Sequence, residues 1–330
     1  MRNIKQIDSL KIKEKSIIDK SNLDQNLFIQ DVFLNNKHLN RVYKNKYLGF
    51  PILLNKNESC FKNKKNFFNV IDTDFADYIY NDKKIEYSQT KEFLKQGNIF
   101  CEDATLKKKY IPVYNFINKH NLGLKNYINK LKKKNLIVSA FQTRNVPHFG
   151  HELIIEKLLH NSDIVIINPV IGPKKKGDFT SYALGKIFNY LSLKKYNKKI
   201  KYYPVIANMF YSGPREAMHH IILRERLGFD LFTVGRDHAG TDNFYNKFDA
   251  INTVKRFNNK FKIKVLAHKG TYFCKKCKKV TFYESCLHKK SLETISGSKF
   301  RKCISNKIIY DHADIGLQKY IHKLKGKIFY

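Results

Sequence analysis

No stretch of the 330-residue chain is apolar for long enough to cross a bilayer as a helix. The start, MRNIKQIDSLKIKEK, carries charges where a signal peptide needs an apolar core. Those two absences make a cytoplasmic protein with no membrane contact the expectation. Acidic residues are scarce as well: 28 Asp and Glu stand against 63 Lys and Arg, a formal net charge of +35. Such an excess ordinarily points to nucleic acid. Here the lysines are spread along the whole chain together with asparagine, in runs such as KNKKN (62–66) and LKKKN (131–135), without a confined basic patch. The charge therefore reads as a solvated surface produced by a global drift toward Lys and Asn, and no nucleic-acid partner is expected.

Arginine is rarer still, with only nine among the basic residues: Arg2, Arg41, Arg144, Arg215, Arg224, Arg226, Arg236, Arg256 and Arg301. Where lysine serves for diffuse positive charge, a surviving arginine marks a place that needs a planar, permanently charged fork for an oxyanion. Four of the nine (Arg144, Arg215, Arg236 and Arg301) fall inside the four motifs below.

The first motif organises the chain. FQTRNVPHFGHE (141–152) follows LIVSA, a short apolar run of strand type, and leads into ELIIEKLLH, apolar at helical spacing. A loop from a strand's carboxyl end to a helix start leaves backbone N–H groups unpaired under the positive end of the helix dipole, a seat for phosphate. Gly150 admits a nucleotide close to the backbone, and His148 and His151 flank it as donors. Gln142, Thr143, Arg144 and Asn145 add four polar side chains at the strand tip. The alternative is a pair of histidines capping the helix beside a solvated polar run.

From residue 135 onward strand and helix patterns alternate: strands at 163–172, 200–210, 230–235 and 261–267, helices at 181–196, 213–229 and 242–257. Alternation of this kind predicts an α/β fold with a parallel sheet covered by helices, whose ligands bind beyond the carboxyl ends of the strands. The second motif, GRDHAG (235–240), sits at such an end, with Arg236 and Asp237 between glycines and uncovered N–H groups at Ala239 and Gly240. The third, SGPREAMHH (212–220), has the Pro214 and Glu216 of an ordinary helix start. The fourth, SGSKFR (296–301), supplies hydroxyls, N–H groups and the cations Lys299 and Arg301, the parts of a mobile phosphate clamp.

Residues 1–134 are less informative. Short apolar pieces at 47–54 and 67–80 suggest strands and turns, and 109–135 reads as a closing strand followed by a basic connecting helix. Near the other end, CKKCKKVTFYESCLH places Cys274, Cys277, Cys286 and His288 in a CxxC followed by CxH. Four such ligands in a chain expected to stay in a reducing compartment fit a structural tetrahedral zinc, with metal-free thiols as the alternative. Cys60, Cys101 and Cys303 read as ordinary thiols.

Taken together, QTRNVPHFGHE, NPVIGPKKKGD, SGPREAMHH, GRDHAG and SGSKFR resemble the ATP sulfurylase (sulfate adenylyltransferase) family in order and approximate spacing, and the cysteine cluster resembles the zinc site of its bacterial-type members. The resemblance implies a Rossmann-like HxGH nucleotidyltransferase domain over 135–268. It also implies a PUA-like β domain over 1–134, a small zinc-binding and helical subdomain over 269–330, and no kinase domain. The implied reaction joins ATP, carried with Mg2+, to sulfate, giving adenylyl sulfate and diphosphate by direct in-line attack on the α-phosphate. By the same resemblance Gln142, Arg144 and Ala239 hold sulfate, and Thr143, Arg144, Asn145, His148 and His151 carry the chemistry. ATP is expected on Gln142, Thr143, Arg144, Asn145, His148, His151, Gly235, Arg236, Asp237, His238, Ser298 and Lys299, and a homo-oligomer is the expected assembly. The family's pattern is broken at Val146 and Phe149, and the tail after Ile308 does not align. Two other readings are another HxGH adenylyltransferase with an organic phosphate acceptor and a zinc-ribbon RNA-binding protein; the first leaves QTRN and GRDHAG unexplained, the second all the phosphate seats.

Overall fold

The computed structural model describes residues 2–35, 52–69, 99–173, 177–210, 212–240, 245–324 and 326–330. The strand pieces expected at 47–54 and 67–80 therefore lie in part outside the described residues, as do 174–176 and 242–244 of the segments read above.

Helices α1 (Arg2–Ile7) and α2 (Lys15–Asp24) precede two antiparallel strands, β1 (Phe61–Asn69) and β2 (Ile99–Leu106), registered from Phe61 opposite Leu106 to Asn69 opposite Ile99. A long helix follows, α3 (Ile111–Lys132). It occupies the place where a closing strand was expected, because Pro112 in its first turn has its φ preset for a helix and lacks only an N–H that would be unpaired there anyway. Its buried residues Ile117, His120, Asn121, Leu124 and Ile128 recur at helical spacing, so one face is apolar and packs on α2 and the sheet.

The central sheet is built from β3 (Val138–Phe141), β4 (Ile164–Ile167), β6 (Ile200–Tyr202), β8 (Leu231–Val234) and β9 (Lys264–Ala267), with a short outlying pair, β5 (Val170–Ile171) and β7 (Val205–Ile206). Helices α4 (Phe149–Leu159), α5 (Ser181–Lys194), α6 (Gly213–Leu227) and α7 (Asp249–Arg256) connect them. All five strands run parallel in the order β6-β4-β3-β8-β9. The chain therefore adds strands to one side of β3 and then returns to its other side, which opens a crevice between the carboxyl ends of β3 and β8. β3, β4 and β8 are almost wholly buried, as their mainly apolar sequences, interrupted only by Ser139 and Thr233, lead one to expect.

Two expected long strands are each cut in half. Pro169 separates β4 from β5 and Pro204 separates β6 from β7, since neither residue can donate to a ladder. The helix expected over 242–257 is shorter: it begins at Asp249, residues 245–248 forming a turn in which the Asp249 carboxylate accepts from the Asn246 N–H.

After β9 the chain forms a small antiparallel sheet from β10 (Thr271–Cys274), β11 (Lys279–Phe282) and β12 (Leu292–Thr294) in the order β11-β10-β12, then α8 (Gly297–Ser305) and α9 (Ile315–His322). One core cluster runs from Ile17, Leu54 and Phe61 through Ile128 to Ile166 and Phe232, so the amino-terminal segments and the parallel sheet share it. A second joins Ile155 and Leu158 of α4 to Phe300 and Leu317 of the last two helices.

Candidate active site

The crevice between β3 and β8 holds the first motif. His148 is extended (φ −113°, ψ 171°) and caps α4, its Nδ1 accepting from the His151 N–H at 3.3 Å. That bond leaves the His148 proton on Nε2. The rings of His148 and His151 stack with centroids 3.8 Å apart. Burial, then the neighbouring His151 ring, pushes the His148 pKa down to about 2, and burial pushes His151 down to about 4. Both rings are therefore neutral in the ligand-free site and offer N–H donors rather than charge. Between them Gly150 leaves no free space for a side chain: a Cβ there would stand 2.4 Å from Thr271 Oγ1 and 3.0 Å from His148 Cε1.

The loop between β3 and α4 is braced from within and from far away. Thr143 Oγ1 accepts from the Asn145 N–H at 3.2 Å and lies 3.5 Å from His151 Nε2. Arg301 of α8 reaches Asn145 Oδ1 with Nη2 at 2.9 Å and Asp178 Oδ1 with Nη1 at 3.3 Å. The fourth motif thus closes on the first, and Gly297 comes so near Asn145 that a Cβ would be 2.7 Å from its Nδ2. Ser296 caps α8 by accepting from the Lys299 N–H.

On the other wall the GRDHAG turn is wound with Asp237 and Ala239 both in left-handed conformation, at φ 54° and 56°. Ala239 O accepts from Gly213 N at 3.1 Å, tying this turn to the start of α6. Arg236 is held by Tyr272 of β10: its Nη1 donates to the phenol oxygen at 2.6 Å, and its guanidinium lies 5.1 Å from the ring centroid. The cleft enclosed by these walls measures about 400 Å³.

Of the residues singled out in the sequence, Gln142, Asn145, His148, His151, Gly235, Arg236, Asp237 and His238 line this cleft. Thr143 is buried beneath the loop, and Arg144, Ser298 and Lys299 are exposed outside the lining. Ala239 also stands outside it, one residue past His238. Several lining or bracing residues escaped the sequence reading. His268, at the carboxyl end of β9, accepts from Gly270 N through Nδ1 at 3.2 Å and faces Gly235; its place just after a strand was the available signal. Arg224 is wholly buried, giving Nε to Asn168 Oδ1 at 3.0 Å and Nη2 to Asn168 O at 2.7 Å. Burial lowers its pKa to about 9, and its guanidinium rests 4.9 Å from the Phe232 ring centroid.

The ligand atoms of Cys274, Cys277, Cys286 and His288 all lie within 4.8 Å of one another, with Cys277 Sγ 3.2 Å from His288 Nδ1. Three thiols and an imidazole at that separation fit the donor set and the size of a zinc tetrahedron. The group stands at the far end of β10, whose near end, Thr271, lines the cleft.

A parallel α/β sheet whose switch point opens on a loop between a strand's carboxyl end and a helix start defines a protein of the doubly wound α/β class. The ATP-sulfurylase family model matches residues 119–310, more than half of the sequence, and the chain belongs to that family. It is 40% identical over 169 residues to the sulfate adenylyltransferase of Ignicoccus hospitalis, covering 51% of this chain and 44% of that one. To the enzyme of the same name from Persephonella marina it is 32% identical over 230 residues, covering 68% and 59%. The chain spans about half the length of the curated relatives it matches. Among solved structures it is similar to a hexameric APS kinase from Thiobacillus denitrificans, with a TM-score of 0.48 and 13% identity over 69% of this chain and 43% of that one, a level on which no functional argument rests.

Proposed function

We propose that the protein is a sulfate adenylyltransferase: a sulfate oxygen attacks the α-phosphorus of ATP in line, the bond to the bridging oxygen of the β-phosphate breaks, and adenylyl sulfate and diphosphate result. Sulfate is a poor nucleophile, so rate must come from alignment and from stabilising charge on the departing diphosphate. The observation that carries the reading is one cleft in which two stacked neutral histidines, the Asn145 amide and Arg236 converge at the mouth of β3 and β8. In this scheme Gln142, Arg144 and the Ala239 N–H hold sulfate, and Thr143 and Asn145 address the α-phosphate. His148 and His151 stabilise the transition state and the leaving group. Gly235, Arg236, Asp237 and His238 carry the nucleotide, with Ser298 and Lys299 beside it.

Mg2+ arrives with ATP and neutralises its phosphates. Zn2+ fits the closed Cys274, Cys277, Cys286 and His288 set as a structural ion, since four protein ligands leave no position for substrate. The resemblance of motifs supports the bacterial-type zinc subdomain over 269–330; a PUA-like unit over 1–134, a homo-oligomer as is usual for such enzymes, and a cytoplasmic site of action complete the proposal.

The test is incorporation of labelled diphosphate into ATP by purified protein with sulfate present or absent. Exchange that requires sulfate is expected. Exchange supported by nicotinate mononucleotide or phosphopantetheine instead would assign the cleft to an organic acceptor. Arg144→Lys should cut the sulfate-dependent rate by roughly a hundredfold or more, because an ammonium cannot make two parallel bonds to an oxyanion; near-normal exchange would take Arg144 out of the sulfate site.

A further inference from the structure

Behind the Gln142 wall lies a buried pair outside the cleft lining. Glu216 and His220, one turn apart at the start of α6, are both fully buried, with His220 Nε2 3.4 Å from Glu216 Oε1. The carboxylate also accepts from the Phe210 N–H at 2.9 Å and the Ser212 N–H at 3.0 Å, so its charge is held in place by the backbone. On the opposite edge of the ring His220 Nδ1 meets Gln142 Nε2 at 3.3 Å and His238 Nε2 at 3.0 Å.

We infer that Glu216 and His220 are positioning residues for the sulfate site, acting by fixing which end of the Gln142 amide faces the ring. A neutral imidazole carries one proton; the Glu216 carboxylate, 3.4 Å from Nε2 without a hydrogen bond to it, favours by its charge the tautomer with that proton on Nε2. Burial and the nearby Arg224 guanidinium keep the ring neutral. Nδ1 is then a lone pair toward which Gln142 and His238 must each point an N–H. The contact to His220 uses one of the two Gln142 N–H bonds, and the second remains for an oxyanion. Without the carboxylate the proton is free to move to Nδ1, and the Gln142 carbonyl would turn to meet it. A donor would become an acceptor within reach of an anion, a reversal that leaves a buried polar group unsatisfied.

The inference rests on the sulfate adenylyltransferase reading, and the experiment separates the two. Sulfate-dependent exchange would be measured for the wild type and for Glu216→Gln, His220→Leu and His220→Asn, with KM read separately for sulfate and for ATP. In Glu216→Gln and His220→Leu, KM for sulfate should rise about tenfold, the worth of one hydrogen bond near an anion, while KM for ATP stays within about twofold. His220→Asn returns an acceptor near the Nδ1 position and should recover most of the sulfate affinity, which a merely space-filling role would not allow. An unchanged KM for sulfate, an equal rise for both substrates, or no recovery in the asparagine variant would overturn the inference. If His220→Leu does not fold, Glu216→Gln decides by the same criterion. A wild type whose exchange ignores sulfate would overturn the underlying reading instead.

Discussion

Arg301, 156 residues from Asn145 of the β3–α4 loop and 123 from Asp178, bridges the two with the two ends of one guanidinium. Its Nε is buried with no protein partner among the described residues, so the side chain is held by those two contacts, by Nη1 donating to Gly177 O at 3.4 Å, and by packing. A lysine can satisfy either partner but not both, because its three donors radiate from a single atom. Arg301→Lys is expected to lower kcat by about tenfold to a hundredfold through misplacement of Asn145, with ATP binding largely kept. Steady-state kinetics with equilibrium nucleotide binding on the same preparation decides it; a pure loss of ATP affinity would count against the role. Gly150→Ala acts at the same loop from the other side. Its methyl group must displace Thr271 or the His148 ring, so activity should fall by about tenfold or more while the fold is retained; wild-type rates in that variant would show that the histidine pair tolerates movement.

At the level of elements, β10 is the strand to watch. Its first residue lines the cleft and meets Gly150, its second holds Arg236, and its fourth is a ligand of the Cys3His group. β12 runs beside it from Leu292 to Thr294 and delivers the chain to Ser296 and Gly297. β10 ends on the Cys3His group, so the Zn2+ proposed there is expected to help hold the strand in register. Stripping the metal with a chelator should deprotect the amides of Thr271–Cys274 and Leu292–Thr294 to hydrogen exchange while those of β3 and β4 stay protected. Exchange protection that survives complete metal removal would mean that packing alone sets the strand. The same scale shows how far sequence patterns reach. The parallel strands and the loops at their tips follow from apolar runs and motif positions. The breaks at Pro169 and Pro204, and the helix begun by Pro112, were written in the sequence too, but an apolar run on either side of a proline still looks like one strand until the neighbouring ladder shows which N–H is needed.

For the whole molecule the histidines set the response to acid. His120, His148, His151, His219, His220, His238 and His268, seven of the twelve, have pKa values lowered by burial. A group whose folded pKa lies below its unfolded value binds its proton preferentially when the chain unfolds, so stability rises with pH across that interval. The stabilising effect is complete above the unfolded value of about 6.5 and is lost progressively below it, as the pH approaches folded values of about 4 for His151 and His268 and about 3 for His219. Each such histidine steepens the loss by at most about 1.4 kcal/mol per pH unit, and several act together. The melting midpoint should therefore drop by several degrees between about pH 7 and about pH 5.5, and phosphate or nucleotide should not abolish the drop at His219, which lies outside the cleft lining. A flat midpoint across that range would mean the rings are not held neutral.

The sequence by itself determined the parallel α/β alternation, the polar loop at one strand tip, the basic turn at another, and the closeness of Cys274, Cys277, Cys286 and His288, because each is encoded in local runs of sequence. The tertiary structure alone decided that His148 and His151 are uncharged, that Arg301 reaches Asn145, that Tyr272 holds Arg236 and that Glu216 and His220 stand behind Gln142. Burial and long-range contact belong to the packed chain: whether a ring loses its water, or which donor meets which acceptor, depends on segments a hundred residues away that local pattern does not specify.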